Sequence, residues 1–508
     1  MRISTTDGFL SVALHTLQNK ILPALPAGDS QAAAAILGQV LTDLLKRERQ
    51  TPELLTAQLD SGAALLMRLE ALCGRLGLDA NAAGDAPAET EEQSGFAGLV
   101  ARHELQTAVI ASRAAALVAA RASAGAAMQE EITAIVREVG LWDEAFARAQ
   151  REATVEVSPP LARPRGAPLS HETLEAFLRT QHPDGEACRL VSFNPIPGGF
   201  GKQTFRAVLA DAAGQNRSLI VRKSDPTPMA ETGCFRIEEE FHLLRDVAAN
   251  SDLPVAEPLW MGKDVAGVDA DFYVMTALPG AVPSSFLGAA SAQIPEAILL
   301  QIAENMARLH RIALPRFGAY LERFGLQGAV GETVEACYRR QIREWKDYFE
   351  RGGHLPSPFV VFLLDWLERN VPRHGAAPVL VHGDFNIHNV LVEEGRVTGI
   401  LDWECAMIGA PEQDLAYVRP IMSQLIGWDR FLDHYAACGG PEIDRDSMDF
   451  YMVFSAMRLC VIFNRGVFNM QNGISRDIRY AVIDLDLTPE FMKQALASIA
   501  ASEARASS

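Results

Sequence analysis

Seven cysteines are scattered through the 508 residues, at positions 73, 188, 234, 337, 405, 438 and 460, and none forms a C-x-x-C pair. An odd number without metal-ligand spacing points to neither a disulfide framework nor a zinc site, and reads as a reduced, cytoplasmic chain. Positive charge is also short: 46 Lys and Arg stand against 64 Asp and Glu, a net charge of −18. That balance argues against nucleic acid as the main partner. No uninterrupted run of ~18 apolar residues occurs, and no basic stretch followed by an apolar one opens the chain. Neither a membrane span nor a secretory leader is therefore expected. What is present is an apolar fraction of 48% with 22% charged residues, the composition of a globular chain. At this length one compact core is too few, and about two or three domains are expected.

Residues 1–157 are rich in Ala and Leu and predict an all-helical domain. Phe9, Leu10, Leu14, Leu17 and Ile21 repeat at helical spacing, as do Ile36, Val40, Leu44 and Leu45. Thr51-Pro52 is expected to stop that second helix, and Leu65, Leu69 and Leu72 belong to a third. Asn81 to Gly95 reads as a loop, and further helices are expected over Phe96–Ser123, Met128–Val139 and Leu141–Gln150. Nothing here looks catalytic; His15 and His103 read as surface or interhelix residues. Docking, self-association into a homo-oligomer, or cover of an acceptor site are the open roles for this domain. Residues 158–169 are a Pro-rich linker, after which Ser170 is placed to cap a helix reaching Thr180.

A β-rich lobe is expected over 170–280. Gly198, Gly199 and Gly201 lie between two strand-like runs, and without Cβ atoms they let backbone N–H groups approach phosphate oxygens. From 281 to 505 the chain turns mostly helical, and the chemistry concentrates in one stretch. Val379 to Val381 is a short apolar strand that leads into His382-Gly383-Asp384. Two β-prone runs, Val390–Val392 and Val397–Leu401, flank a turn at Glu393 to Arg396. Such a hairpin brings Asp384 and Asn389, before its first strand, to the same end as Asp402 after its second. Two acids and a carboxamide, all oxygen donors, suit Mg²⁺ and a nucleotide triphosphate. His382, Asp384 and Asn389 also meet the H-x-D-x-x-x-x-N pattern of kinases, in which the Asp accepts the acceptor-hydroxyl proton and the Asn and a second Asp hold metal.

His382-Gly-Asp-Phe-Asn-Ile-His-Asn389 followed by Ile400-Leu-Asp-Trp-Glu404 resembles the aminoglycoside phosphotransferase and choline kinase superfamily, most closely its branch associated with acyl-CoA dehydrogenases. The resemblance spans roughly residues 185–480. It implies an α+β, bilobal, protein-kinase-like fold with a small β-rich lobe and a large helical lobe. It also implies ATP-dependent phosphorylation of a small-molecule hydroxyl with Mg²⁺. On that reading Asp384 is the base, Asn389 and Asp402 are the metal ligands, and Glu404 assists through water. The phosphate-facing cation is Arg222, with Lys223 as the alternative, and its partner on the following helix is Glu240. Backbone groups from Met275 to Ala277 would meet the adenine, although Thr276 stands where relatives often carry an acid. His310 is expected to be structural, and His382 and His388 to brace the catalytic loop.

Basic residues cluster in two later segments, Arg339, Arg343 and Lys346 in one, and Arg458, Arg465, Arg476 and Arg479 in the other. They read either as solvated helix surface paired with Glu335, Glu344 and Asp347, or as a site for an anionic acceptor. The branch resemblance favours a hydroxyacyl-CoA as acceptor; an aminoglycoside, choline-type or other small alcohol is the alternative. A catalytically degenerate nucleotide-binding module is the competing class.

Overall fold

The computed structural model describes residues 14, 17–26, 29–78, 96–152, 169–196, 201–226, 228–283, 294–373, 375–471, 474, 483 and 487–506. The Asn81–Gly95 loop, most of the 158–169 linker, Gly198, Gly199, Arg476, Arg479, His15 and the start of the first expected helix lie outside them. The chain divides into two compact units. One comprises residues 1–161, 342–371 and 456–508, the other 162–341 and 372–455.

The first unit is helical. Helix α1, Asp29–Arg75, runs unbroken through Pro52, so the stop expected at Thr51-Pro52 does not occur. Proline removes one hydrogen bond from a helix interior. Buried Leu55, Leu65, Leu69 and Leu72 give the same helix a continuous apolar seam that outweighs the lost bond. Helix α2, Phe96–Ala120, and helix α3, Ala126–Glu152, complete the N-terminal layer; α3 fuses the two segments expected over 128–150. At Gly62 an added Cβ would lie 2.2 Å from the Gln106 side chain and 2.8 Å from the Trp142 ring, so glycine lets three helices approach closely. Trp142 and Gln58 lock that crossing, with Gln58 Nε2 donating to the Trp142 carbonyl at 2.8 Å. His103 lies between helices, its ring 4.6 Å from that of Phe146.

Segments expected in the 281–505 lobe, residues 342–371 and 456–508, belong to this unit instead, while the division at 161/162 falls inside the expected 158–169 linker. The apolar helix Pro358–Arg369 packs against α3, where a Cβ at Gly140 would meet the Phe362 ring at 2.5 Å. Asp143 of α3 accepts from the N–H of Phe359 at 3.1 Å, capping that helix together with Ser357. Its buried Asp365 is flanked by Arg121 and Arg369. Helix Thr488–Ala506 pairs with α3 through Arg151–Glu490 and Arg137–Glu503. Helical periodicity shows which face is apolar, but not which partner will cover it.

Burial pushes the Asp143 carboxyl up to about 6, against the lowering effect of the Phe359 and Ser357 hydrogen bonds. A carboxyl with a raised folded pKa contributes stability below its unfolded value, and that contribution is lost as pH rises through the folded value. Asp143→Asn keeps an oxygen for the Phe359 N–H. It should therefore gain on the parent by on the order of 2 kcal/mol between pH 4 and 7. Denaturant titrations of both proteins across that range test this; a constant difference would refute it.

The second unit carries a five-stranded antiparallel sheet in the order β1-β2-β3-β5-β4. Its strands are β1 Arg189–Ile196, β2 Lys202–Ala210, β3 Asn216–Ser224, β4 Pro258–Gly262 and β5 Phe272–Thr276. Strand alternation sends Phe205, Ala207, Leu209, Leu219 and Val221 into one core with Leu174 and Leu178 of helix α4, His171–Gln181. Ser170 caps α4 as expected, its Oγ accepting from the Thr173 N–H at 3.1 Å. The opposite face of the sheet meets helix α5, Ile237–Asn250, which carries Glu240. The helical part of the unit includes α6, Glu296–His310, and the helix Pro411–Leu425. Between them β6 (Val379–Val381) pairs with β9 (Met407–Gly409), and β7 (Val390–Glu393) with β8 (Arg396–Ile400). The β7–β8 turn has positive φ at Glu394 (49°) and Gly395 (74°), the mirror-image turn that matches strand twist. A β-rich lobe followed by a helical lobe is the expected α+β bilobal architecture. Among the described residues one helix, Arg445–Asn469, is long and apolar enough to cross a membrane, and 83% of its most apolar window is buried.

Candidate functional site

The β7–β8 hairpin does what its spacing predicts. Val390 pairs with Ile400, and the Leu401 N–H donates to the Asn389 carbonyl at 2.8 Å, so the residues flanking the hairpin meet at one end. The His382 imidazole Nε2 lies 2.8 Å from the Leu401 carbonyl, tying the loop before Asp384 to the turn that presents Asp402. Asn389 Nδ2 donates to Asp384 twice, to the carbonyl at 2.9 Å and to Oδ2 at 2.8 Å. Asp384 Oδ1 is buried and accepts no hydrogen bond, with His388 Nε2 at 3.5 Å. Asp402 sits in the left-handed region at φ 64°, ψ 63°. That conformation is unusual outside glycine and is tolerated best by Asp and Asn.

A second carboxylate holds the loop from below. Asp414, in the first turn of the helix Pro411–Leu425, is fully buried. It accepts from the N–H groups of His382 at 2.8 Å and Gly383 at 2.7 Å, and lies 3.1 Å from His310 Nε2. The other nitrogen of His310 meets the Tyr435 hydroxyl at 2.9 Å. Burial drives the Asp414 carboxyl up, but the hydrogen bond from His310 and those from the backbone outweigh it and leave it below the usual range. His310 and His382 are thus braces, as expected. Asp414→Ala would strand two backbone donors and a buried imidazole, so it should cost about 3–5 kcal/mol in a denaturation series and abolish activity. A near-parental midpoint would show that the network carries no such weight.

The sheet brings cations to the same place. Arg222 of β3 lies 3.2 Å from Glu240 Oε1, 2.9 Å from Asp402 Oδ1 and 3.5 Å from Glu404 Oε2. Lys223 points to the other face and pairs with Asp269, so Arg222 is the residue at the site. Burial works against the Arg222 charge, yet Glu240 and Asp402 more than compensate and hold it firmly protonated. Burial likewise raises the Asp402 carboxyl, but Arg222 and Lys202 pull it below the ordinary range. Glu404 goes the other way, pushed up to about 7 by burial and by neighbouring Asp402. Gly201 is shaped for this corner: a Cβ there would lie 3.2 Å from Glu404 Oε1.

Sequence reasoning missed Lys202 and Asp414. Lys202 Nζ lies 3.0 Å from Glu240 Oε2 and 3.2 Å from Glu404 Oε2, and donates to the Cys234 carbonyl at 3.1 Å. The signal was its parity with Arg222: Lys202 and Thr204 oppose Ser224 and Arg222 across β2–β3, so both cations face α5. Asp414 announces itself only as an acid in a helix's first turn, a common position.

The segment expected to meet adenine lies at the end of β5. Met275 is buried in the ladder between β3 and β4. The N–H groups of Thr276 and Ala277 already donate to the carbonyls of Glu257 at 3.0 Å and Ser218 at 3.3 Å. Of the arginines named as acceptor ligands, Arg339 pairs with Glu335 at 3.0 Å and Arg343 is exposed. Arg458 is buried over the Trp345 ring, and Arg465 donates to the Gly352 carbonyl at 3.2 Å. Arg458 is therefore a packing element of the helical unit, whereas Arg465 is half-buried.

Comparison with known proteins follows the same segment. The acyl-CoA dehydrogenase family member 11 of Gallus gallus is 27% identical over 277 residues, 50% of this chain and 34% of that protein. The probable acyl-CoA dehydrogenase IBR3 of Arabidopsis thaliana is 27% identical over 302 residues, 53% of this chain and 35% of that protein. The chain thus spans about a third of the length of these curated relatives. Among solved structures, aminoglycoside phosphotransferase APH(4)-Ia aligns with 65% of this chain and 99% of its own, at 17% identity and a TM-score of 0.42. The profile of the phosphotransferase enzyme family matches residues 192–451, from β1 through the catalytic loop to the helix beyond Tyr435. That is just over half of the chain and takes in Arg222, Glu240, Asp384, Asn389 and Asp402, and the chain belongs to this phosphotransferase enzyme family.

Proposed function

We propose that the chain transfers the γ-phosphoryl group of ATP to a hydroxyl of a small molecule. The observation that carries this reading is the meeting of Asp384, Asn389 and Asp402 with the Arg222–Glu240 pair in one unit. Asp384 accepts the acceptor-hydroxyl proton; its Oδ1 is the oxygen left over once Asn389 has taken Oδ2. Arg222, steadied by Glu240, holds phosphate oxygens, and Gly201 lies beside Glu404 at the same corner. Phosphoryl transfer asks mainly for such positioning and charge stabilisation.

The donor set fits Mg²⁺. Asn389 uses its amide nitrogen on Asp384, which leaves the amide oxygen, and Asp402 adds a carboxylate, both hard donors. Among the described residues no trio of His, Cys, Asp or Glu is placed to hold a metal by itself, so an ion here would depend on phosphate oxygens as well. Held by Asn389 and Asp402, Mg²⁺ would supply positive charge that offsets the phosphates.

For the acceptor we favour a hydroxyacyl-CoA or a related anionic hydroxy compound. The support is the relatives' printed association with acyl-CoA dehydrogenases. A 33% identity over 69 residues to hygromycin-B 4-O-kinase of Escherichia coli keeps an aminoglycoside-type acceptor as the second reading. Seven free cysteines go with a reducing, cytoplasmic setting. ADP release measured over hydroxyacyl-CoAs, free hydroxy acids, sugars and amino alcohols decides the matter. The strongest turnover should fall on a hydroxyacyl-CoA; an amino alcohol or aminoglycoside as best acceptor would overturn the choice.

A further inference from the structure

We propose that Lys202 is a second phosphate-binding cation of this site, held by Glu404 until nucleotide arrives. The inference rests on the nucleotide-binding reading above and deepens it. Lys202 is the residue directly after the glycine loop, at the start of β2, and its side chain is 3% exposed. Its position in the β2–β3 register puts it on the face shared with Arg222, and both cations lean on the same buried carboxylate, Glu240.

The partners differ in kind. Glu240 is 1% exposed and internal, a permanent counter-charge for both cations. Asp402 and Glu404 are 29% and 17% exposed, so each cation also meets an acid that reaches solvent, Arg222 through Asp402 and Lys202 through Glu404. An ammonium with three donors, set between Glu240, the Cys234 carbonyl and Glu404, keeps its first two partners if the third is replaced by a phosphate oxygen. Gly201 lies against the same Glu404 carboxylate, so Gly201, Lys202 and Glu404 form one corner. With Glu404 ionised, three carboxylates face two cations, and that excess of negative charge opposes a triphosphate unless Glu404 gives way. Lys202 therefore exchanges a carboxylate for phosphate, and Glu404 competes with nucleotide for it.

The test is nucleotide binding by the full chain in EDTA, followed by calorimetry with ATP, ADP and adenosine. Lys202→Gln should weaken ATP and ADP by about 10- to 100-fold and leave adenosine unchanged. Glu404→Gln should tighten Mg²⁺-free ATP binding, and that gain should vanish when Lys202→Gln is added. Lys202→Arg should restore most of the affinity. The proposal is overturned if Lys202→Gln binds ATP like the parent, or if adenosine weakens in step, which marks a merely structural lysine. It is overturned equally if the Glu404→Gln gain is absent or survives the double substitution. The single Glu404→Gln arm stands even where Lys202→Gln fails to fold. Arg222→Gln serves as the control: if it too leaves ATP affinity untouched, the nucleotide site itself is misplaced, whereas a defect in Arg222→Gln alone refutes only Lys202.

Discussion

Asp384→Asn should fold and bind nucleotide as the parent does, yet lose turnover by about 10²–10⁴-fold. The change is isosteric, and an asparagine there still offers an oxygen to Asn389 Nδ2, so the loop braced by His382 and Asp414 keeps its shape. What disappears is the carboxylate oxygen that accepts no hydrogen bond, the atom assigned to the acceptor proton. Steady-state kinetics should show kcat falling while the ATP affinity holds, the signature of an interaction made on the way to the transition state. Near-parental transfer would show that the proton goes elsewhere.

Asp402→Asn should abolish Mg²⁺-dependent strengthening of nucleotide binding, a loss of about 100-fold or more at saturating Mg²⁺. Asparagine tolerates the left-handed backbone at this position, so the turn should survive where alanine would strain it. Without Mg²⁺ the direction reverses. Asp402 is an immediate partner of Arg222, and removing its charge leaves the guanidinium to Glu240, Glu404 and the phosphates. Mg²⁺-free ATP binding should therefore be equal or tighter than in the parent. A variant that responds to Mg²⁺ normally would remove Asp402 from the metal site, and one weakened equally with and without Mg²⁺ would show a structural role instead.

The catalytic stretch was legible because its geometry is local. Eighteen positions separate Asp384 from Asp402, but a hairpin with a two-residue turn has only one way to close, and strand period and turn chemistry are written in the residues themselves. The Ser170 cap and the Arg222-over-Lys223 choice were legible for the same reason, since a one-residue step along a strand changes face.

Other features required partners far along the chain. Pro52 carries a strong local signal to stop, and the apolar seam of α1 overrides it with packing that no short window contains. Residues 342–371 and 456–508 show helical periodicity, but only Gly140 beneath Phe362, Asp143 on the Phe359 N–H and the Arg151–Glu490 pair assign them to the helical unit. The sequence by itself determined the two lobes of the phosphotransferase unit and the convergence of Asp384, Asn389 and Asp402 at one end of the β7–β8 hairpin. Tertiary structure alone decided that Lys202 shares Glu240 with Arg222 and that Asp414 holds the His382-Gly383 backbone. Charges 18 to 202 positions apart couple through a common low-dielectric corner, and only the folded chain creates that corner.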